Sequence, residues 1–199
     1  RQRQMCIRDR EYIAGRVLAR ELLDRIGVNA QTIASGPKRE PLWPTGIVGS
    51  ISHNELCCAV VVAQNSVVTS VGIDIETTGR IDRYLWANLF TEEETEYLLQ
   101  LEPAAQSRQA TVLFSIKEAF YKYQFPITQG WVGFRDVSVH QEDASSYRLA
   151  AQISDATLAS SVLAIVEHVG TDQVIALVVD QSVLKATANQ LSHSPAPAP

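Results

Sequence analysis

Val71-Gly72-Ile73-Asp74-Ile75-Glu76 is the stretch that decides how this chain is read. Two acids stand two residues apart inside an apolar run over residues 66–75 that has the composition of a buried strand. Side chains alternate faces along a strand, so Asp74 and Glu76 share one face, roughly 6–7 Å apart, while Ile73 and Ile75 face a core. Paired carboxylates at a strand end are costly to desolvate and repel each other. A hard divalent cation with oxygen ligands would relieve both costs. The alternative is a strand that runs out into solvent, where acids cost nothing.

Phe114-Ser115-Ile116-Lys117-Glu118-Ala119-Phe120-Tyr121-Lys122 lies in a second informative segment, of helical pattern. Glu118 and Lys122 are four apart and share a helix face, which is also the spacing of a surface ion pair. A third acid beside a lysine, on a helix that follows an Asp-x-Glu strand, is the set a metal–pyrophosphate site needs. The acids hold the cation and the lysine neutralises phosphate oxygens.

Gly49-Ser50-Ile51-Ser52-His53 precedes these two motifs, and the three in this order resemble the 4'-phosphopantetheinyl transferases. The branch that contains the enterobactin synthase component D proteins is the nearest, on Arg39-Glu40-Pro41-Leu42-Trp43-Pro44 and Ala14-Gly15-Arg16 as well. The resemblance implies an α/β (α+β) fold of two pseudo-duplicated lobes with the active site between them. It implies transfer of 4'-phosphopantetheine from coenzyme A to a serine of an apo acyl or peptidyl carrier protein, with release of adenosine 3',5'-bisphosphate. The branch points to siderophore or nonribosomal-peptide assembly. Magnesium would be held by Asp74, Glu76 and Glu118. Glu118 is the candidate general base, and Lys122 would touch the pyrophosphate. Lys117 would support Lys122 or contact the 3'-phosphate; Ser52 and His53 would meet coenzyme A phosphates, Arg39 would lie near the 3'-phosphate, and Arg16 near coenzyme A. Asn54 stands where the family often has Cys or Ser, and little consequence is expected. The alternative is an inactive relative that binds coenzyme A or a nucleotide without transfer.

The rest of the chain of 199 residues is read around these motifs. Residues 1–40 carry 9 Lys/Arg and 5 Asp/Glu; residues 41–199 carry 8 and 17. That acidic majority argues against a nucleic-acid binder. No apolar run reaches membrane-span length. Three cysteines, Cys6 and the adjacent Cys57 and Cys58, form no disulfide or zinc spacing, which suits a reduced, cytoplasmic setting. The two-lobed relatives need no second subunit, so a monomer is expected.

Met5-Cys6-Ile7-Arg8-Asp9-Arg10 back-translates to the mosaic-end adapter of transposase-based sequencing libraries. Residues 1–10 are therefore expected to be adapter-derived or disordered, with an N-terminal piece of the fold missing. Residues 11–69 are expected to form the truncated N-terminal lobe, 70–184 the C-terminal lobe, and 185–199 a disordered tail.

Residues 11–26 predict an amphipathic helix with Ile13, Val17, Leu18, Leu22 and Ile26 as its apolar positions. Gln64-Asn65-Ser66 predicts a hairpin turn. Thr91-Glu92-Glu93-Glu94 predicts a capping box, which explains this acid run better than a metal site does. Pro103 predicts the start of a helix that ends before Pro126, with Leu113, Ile116, Phe120 and Tyr123 as its core stripe. Strands are expected near residues 131–140, 147–153, 162–168 and 174–179. Residues 80–105 are the expected carrier-docking surface. Trp43 either caps a pocket or plugs the core.

Overall fold

The computed structural model describes residues 2–29, 32–151, 158, 159 and 161–183, with side chains from residue 10 onward. The expected tail lies outside the described residues. Helix α1 (Gln2–Arg25) leads through β1 (Ala34–Ser35) and β2 (Pro41–Leu42) to the antiparallel hairpin β3 (Ile47–His53) and β4 (Cys58–Gln64). Next come β5 (Val71–Thr77), α2 (Trp86–Leu89), α3 (Glu92–Gln100) and α4 (Pro103–Thr128). Strands β6 (Val137–Gln141), β7 (Ser146–Ala151), β8 (Val162–Val169) and β9 (Gln173–Asp180) close the fold. This is the expected α+β class.

The larger sheet is antiparallel, in the order β5-β9-β8-β7-β6. Its apolar face lies under α4. Val174, Ala176 and Val178 of β9 are fully buried there with Ile116, Phe120 and Tyr123 of the helix. The register pairs Gly72 with Val178, Asp74 with Ala176 and Glu76 with Val174, so all three β5 residues face α4. Ile73 and Ile75 point the other way, into a second core with Ala59, Val61, Ile175 and Leu177. That small core joins the lobes.

Gly72 is where α4 comes closest. A Cβ there would sit 1.9 Å from the backbone oxygen of Ala119 and 2.7 Å from the nitrogen of Tyr123. Backbone cannot swing aside as a side chain can. Gly72→Ala is therefore expected to push the helix off the strand and cost about 1–3 kcal/mol or more by urea denaturation. An unchanged midpoint would mean that the helix shifts freely.

The two lobes are stitched along β3 and β5 by side chains instead of a backbone ladder. Period 2 puts Ser50, Ser52 and Asn54 on one side of β3. Ser50 Oγ accepts from Ile73 N (3.1 Å) and Ser52 Oγ from Ile75 N (3.3 Å). Asn54 Nδ2 donates to Gln173 Oε1 (2.6 Å), while its Oδ1 accepts from Leu56 N and Cys57 N to close the hairpin turn. Asn54 thus has a larger consequence than expected, because it ties the β3–β4 turn to the buried end of β9.

Several local expectations are corrected. Helix α1 starts at Gln2 instead of residue 11. It buries Gly15, Ala19 and Leu23 against the hairpin, whereas Ile13, Val17 and Ile26 are 58%, 48% and 41% exposed. Small residues win this face because the helix lies close: a Cβ on Gly15 would meet Ile51 at 2.7 Å. Residues 64–66 do not turn a hairpin. They begin a connector to β5, which pairs with β9. Residues 131–136 are loop and a short 3-10 turn, not strand. Helix α4 continues through Pro126 to Thr128, since a proline two residues from the end removes only one late hydrogen bond. The capping box forms as expected, with Glu94 N donating to Thr91 Oγ1 and Thr91 N to Glu94 Oε2. Trp43 is half-buried in the N-terminal core, lying against Gly49, and so plugs that core.

Candidate active site

At the junction of the lobes, β5, α4 and β3 each supply charged or polar groups to one point. Asp74 is 3% exposed. Its Oδ1 accepts from Lys122 Nζ (2.7 Å) and Ser52 Oγ (2.9 Å). Lys122 also donates to Ser52 Oγ (2.9 Å) and to Ile73 O (3.1 Å). Asp74 Oδ2 is buried without a hydrogen-bond partner among the described residues. One half of a buried carboxylate is thus neutralised and the other half is left with its desolvation cost.

Glu76 and Glu118 add to the negative charge. Burial raises the Glu76 pKa from its ordinary 4.5 to about 7, helped by the charges of Asp74 and Glu118 and opposed by Lys122 and Arg80. Burial likewise raises Glu118, with Asp74 adding and Lys122 opposing. Three carboxyls facing one ammonium form an oxygen-donor set short of positive charge, which suits a hard divalent cation. Among the described residues, no three His, Cys, Asp or Glu side chains converge closely enough to hold a metal as they stand. The orphaned Asp74 oxygen and the two raised carboxyls are the fit such an ion would have.

A pH prediction follows from Glu76. A carboxyl whose pKa is raised by folding binds its proton more tightly folded than unfolded. Its stabilising contribution is present below pH 4.5 and is lost as the pH rises to about 7. The melting temperature of the cation-free protein should therefore fall across that window relative to Glu76→Gln. Parallel calorimetric profiles for the two proteins would show that Glu76 titrates as an ordinary carboxyl.

Lys117 stands elsewhere. It is 2% exposed and donates to Glu94 Oε2 (2.5 Å), Phe134 O (2.8 Å) and Leu89 O (3.0 Å). Glu94 in turn accepts from Val139 N (2.9 Å) at the sheet edge. The ammonium forms a buried ion pair that joins α2, α3, α4 and β6. All three ammonium protons are engaged, so no donor is left over for a ligand.

The remaining expected residues are not brought to Asp74. His53 follows Ser52 and so faces the opposite side of β3; its ring pairs with Glu11 at 3.4 Å. It lines a cavity of about 290 Å³ with Glu11, Asn54, Cys57 and Cys58. Arg16 donates to Ser35 Oγ (3.1 Å) and stacks on Tyr12. Arg39 is exposed in the β1–β2 turn with φ of 67°. A second cavity, about 200 Å³, was not anticipated. Glu118, Lys117, Tyr121, Trp131, Val132 and Phe134 are among its lining residues. Trp131 is 78% exposed and tilts against Tyr121 with ring centroids 5.3 Å apart. An aromatic flanked by Gly130 and Gly133 in a segment without strict alternation was the available signal.

These elements define a two-lobed α+β protein with an acid-and-lysine site where the lobes meet. Residues 3–63 match the 4'-phosphopantetheinyl transferase N-terminal domain, and residues 70–178 match the 4'-phosphopantetheinyl transferase superfamily. The chain belongs to the 4'-phosphopantetheinyl transferase superfamily. It is 36% identical to the 4'-phosphopantetheinyl transferase PptT of Mycobacterium tuberculosis, over 72% of this chain and 63% of that protein. It is 32% identical to the 4'-phosphopantetheinyl transferase Npt of Nocardia iowensis, over 70% of this chain and 63% of that one. Enterobactin synthase component D of Escherichia coli is 31% identical over 71% of this chain and 67% of its own length. The chain thus spans less than two thirds of the Mycobacterium and Nocardia relatives. A holo-(acyl-carrier-protein) synthase structure from Bacillus anthracis, in complex with CoA (3',5'-ADP), aligns at 24% identity with a TM-score of 0.45. That alignment covers 57% of this chain and 95% of that one.

Proposed function

We propose that this chain transfers the 4'-phosphopantetheine group of coenzyme A to a serine hydroxyl of an apo acyl or peptidyl carrier protein, releasing adenosine 3',5'-bisphosphate. Membership of the superfamily supports the reaction class. The observation that carries the reading to particular residues is the Asp74–Lys122–Ser52 cluster, with its unpartnered carboxylate oxygen and two flanking acids.

The roles follow from position and charge. Asp74, Glu76 and Glu118 would hold magnesium, which when bound would supply positive charge to offset the pyrophosphate oxygens. Glu118 is the base. It lines the cavity in which an acceptor hydroxyl can approach. As the serine oxygen bonds to the β-phosphorus, the serine proton passes to Glu118. The bond from that phosphorus to the bridging oxygen breaks, and adenosine 3',5'-bisphosphate leaves with the electron pair. Lys122 steadies the charge that develops on the leaving group.

Relatives named as enterobactin synthase component D direct the proposal to carrier domains of siderophore or other nonribosomal-peptide assembly. The unpaired thiols Cys57 and Cys58 agree with action in the cytoplasm, and we propose a monomer. No helix among the described residues is long and apolar enough to cross a membrane. Intact-mass spectrometry of an apo peptidyl carrier protein, after incubation with this chain, coenzyme A and magnesium, tests the reaction. The carrier should gain one phosphopantetheine group. No gain, either from this chain or from one extended upstream, would leave a protein that binds coenzyme A without transferring from it.

A further inference from the structure

Glu118 and Lys122 reach the site from α4, and that helix is weakest where Lys122 stands. Pro126 lies inside the helix four residues further on. It has no N–H, so the carbonyl of Lys122 cannot accept the usual helical bond. The helix is held firmly at Lys117, whose ammonium is buried on Glu94, Phe134 O and Leu89 O. Lys122 is five residues beyond that anchor, about 7.5 Å along the helix axis. A tilt of about 8° at Lys117 would move Lys122 by about 1 Å.

A second anchor sits on the next residue. Tyr123 is 1% exposed, and its phenol donates to Asp180 Oδ1 at the end of β9. Asp180 Oδ2 accepts from Thr69 N (2.6 Å), and the buried Ser70 Oγ donates to Tyr123 O (2.8 Å). Thr69 and Ser70 end the connector that leads into β5. One tyrosine is thus tied, by side chain and by backbone, to the root of the strand that carries Asp74. Packing acts in the opposite sense. Ala119 O and Tyr123 N lie against Gly72 and stop the helix from coming closer. The hydrogen bonds stop it from lifting away.

We infer that Asp180, Tyr123 and Ser70 are positioning residues, which hold the C-terminal half of α4 down on β5 so that Lys122 stays on Asp74. The inference rests on the reading of Asp74 and Lys122 as parts of the transfer site. The three residues act through Lys122, which meets Asp74 Oδ1 (2.7 Å), Ser52 Oγ (2.9 Å) and Ile73 O (3.1 Å) with the helix seated.

Pulse labelling with acetic anhydride, read lysine by lysine by peptide mass spectrometry, tests this on the chain alone. In Asp180→Ala, Lys122 should be acetylated about tenfold faster than in the unsubstituted chain, while the buried Lys117 stays protected. Asp180→Asn keeps an acceptor for Thr69 N and an amide donor for the phenol oxygen, so it should restore protection. Tyr123→Phe covers the case in which Asp180→Ala does not fold. It removes one hydroxyl beside a cavity of about 460 Å³, where water can reach the freed carboxylate, and should give a smaller rise at Lys122 alone. Equal rises at Lys122 and Lys117 would mean a general loosening of the fold and overturn the inference, as would no rise at Lys122. In the carrier-protein assay, Asp180→Ala should lower kcat about tenfold or more and leave the KM for coenzyme A in place. An unchanged kcat would also overturn the inference. If the unsubstituted chain transfers nothing, the transferase reading fails, and the labelling still decides whether these residues seat Lys122.

Discussion

Asp74→Ala should reduce phosphopantetheine transfer by roughly 10³-fold or more, equivalent to about 4 kcal/mol of transition-state stabilisation, while the protein stays folded. The two halves of this expectation have separate physical sources. The rate depends on Asp74 because it is the most buried acid of the cluster and the one with an oxygen left unpartnered. The fold depends on it less. Lys122 is 26% exposed and keeps Ser52 and Ile73 O as acceptors after the carboxylate is gone. Removing a buried carboxylate also removes its desolvation cost, so the stability change should stay within about 1–2 kcal/mol. Asp74→Asn preserves the shape and removes the charge, and it should be nearly as slow. Single-turnover mass spectrometry paired with a thermal melt measures both. Near-normal turnover in either variant would take Asp74 out of the chemistry.

Lys117→Met should be the most destabilising of these substitutions, by about 3–5 kcal/mol, because it strands one partner of a buried ion pair. Glu94 would keep the backbone donors Thr91 N and Val139 N but lose its only cation among the described residues. Leu89 O and Phe134 O would lose a donor as well. Burial lowers the Lys117 pKa and Glu94 pulls it back up. Because the two charges are buried against each other, adding Glu94→Gln to Lys117→Met should cost little more, and a double-mutant cycle by urea denaturation should show strong coupling. A phosphate-binding Lys117 would behave in the opposite way. Its loss would raise the KM for coenzyme A and leave the unfolding midpoint alone, and that result would restore the reading from the motif.

How much of the site could be read in advance depended on how far apart its parts lie in the chain. Asp74 and Glu76 were placed on one face correctly, because period 2 is a property of the strand backbone alone. The Thr91–Glu94 box was legible for the same reason: both partners sit within one helical turn. Glu118 and Lys122 share a face at four-residue spacing, and the structure turns that face to Asp74. The partner of Lys117 is not legible in its motif, because it lies 23 residues away. Nothing in a motif shows that the acid which caps one helix also neutralises a lysine on the next. The hydroxyl of Ser52, expected to meet a phosphate, hydrogen-bonds Asp74, Lys122 and Ile75 N, partners that lie 22 or more residues away. The apolar face of α1 was misassigned because periodicity records which residues are greasy. Close approach to a hairpin selects small ones, Gly15 and Ala19.

The sequence by itself determined the α+β class, the family resemblance, the strand that carries the acids and the helix that carries Glu118 and Lys122. Each of these is written in local spacing, which backbone geometry converts directly into a shared face. Only the tertiary structure decided that β5 pairs with β9, that Ser50, Ser52 and Asn54 stitch the lobes, and that Lys117 pairs with Glu94 and Lys122 with Asp74. These outcomes turn on which buried polar groups find partners across long stretches of chain. A buried ammonium goes to whichever carboxylate the packing brings within reach, and that choice is made by the whole core at once.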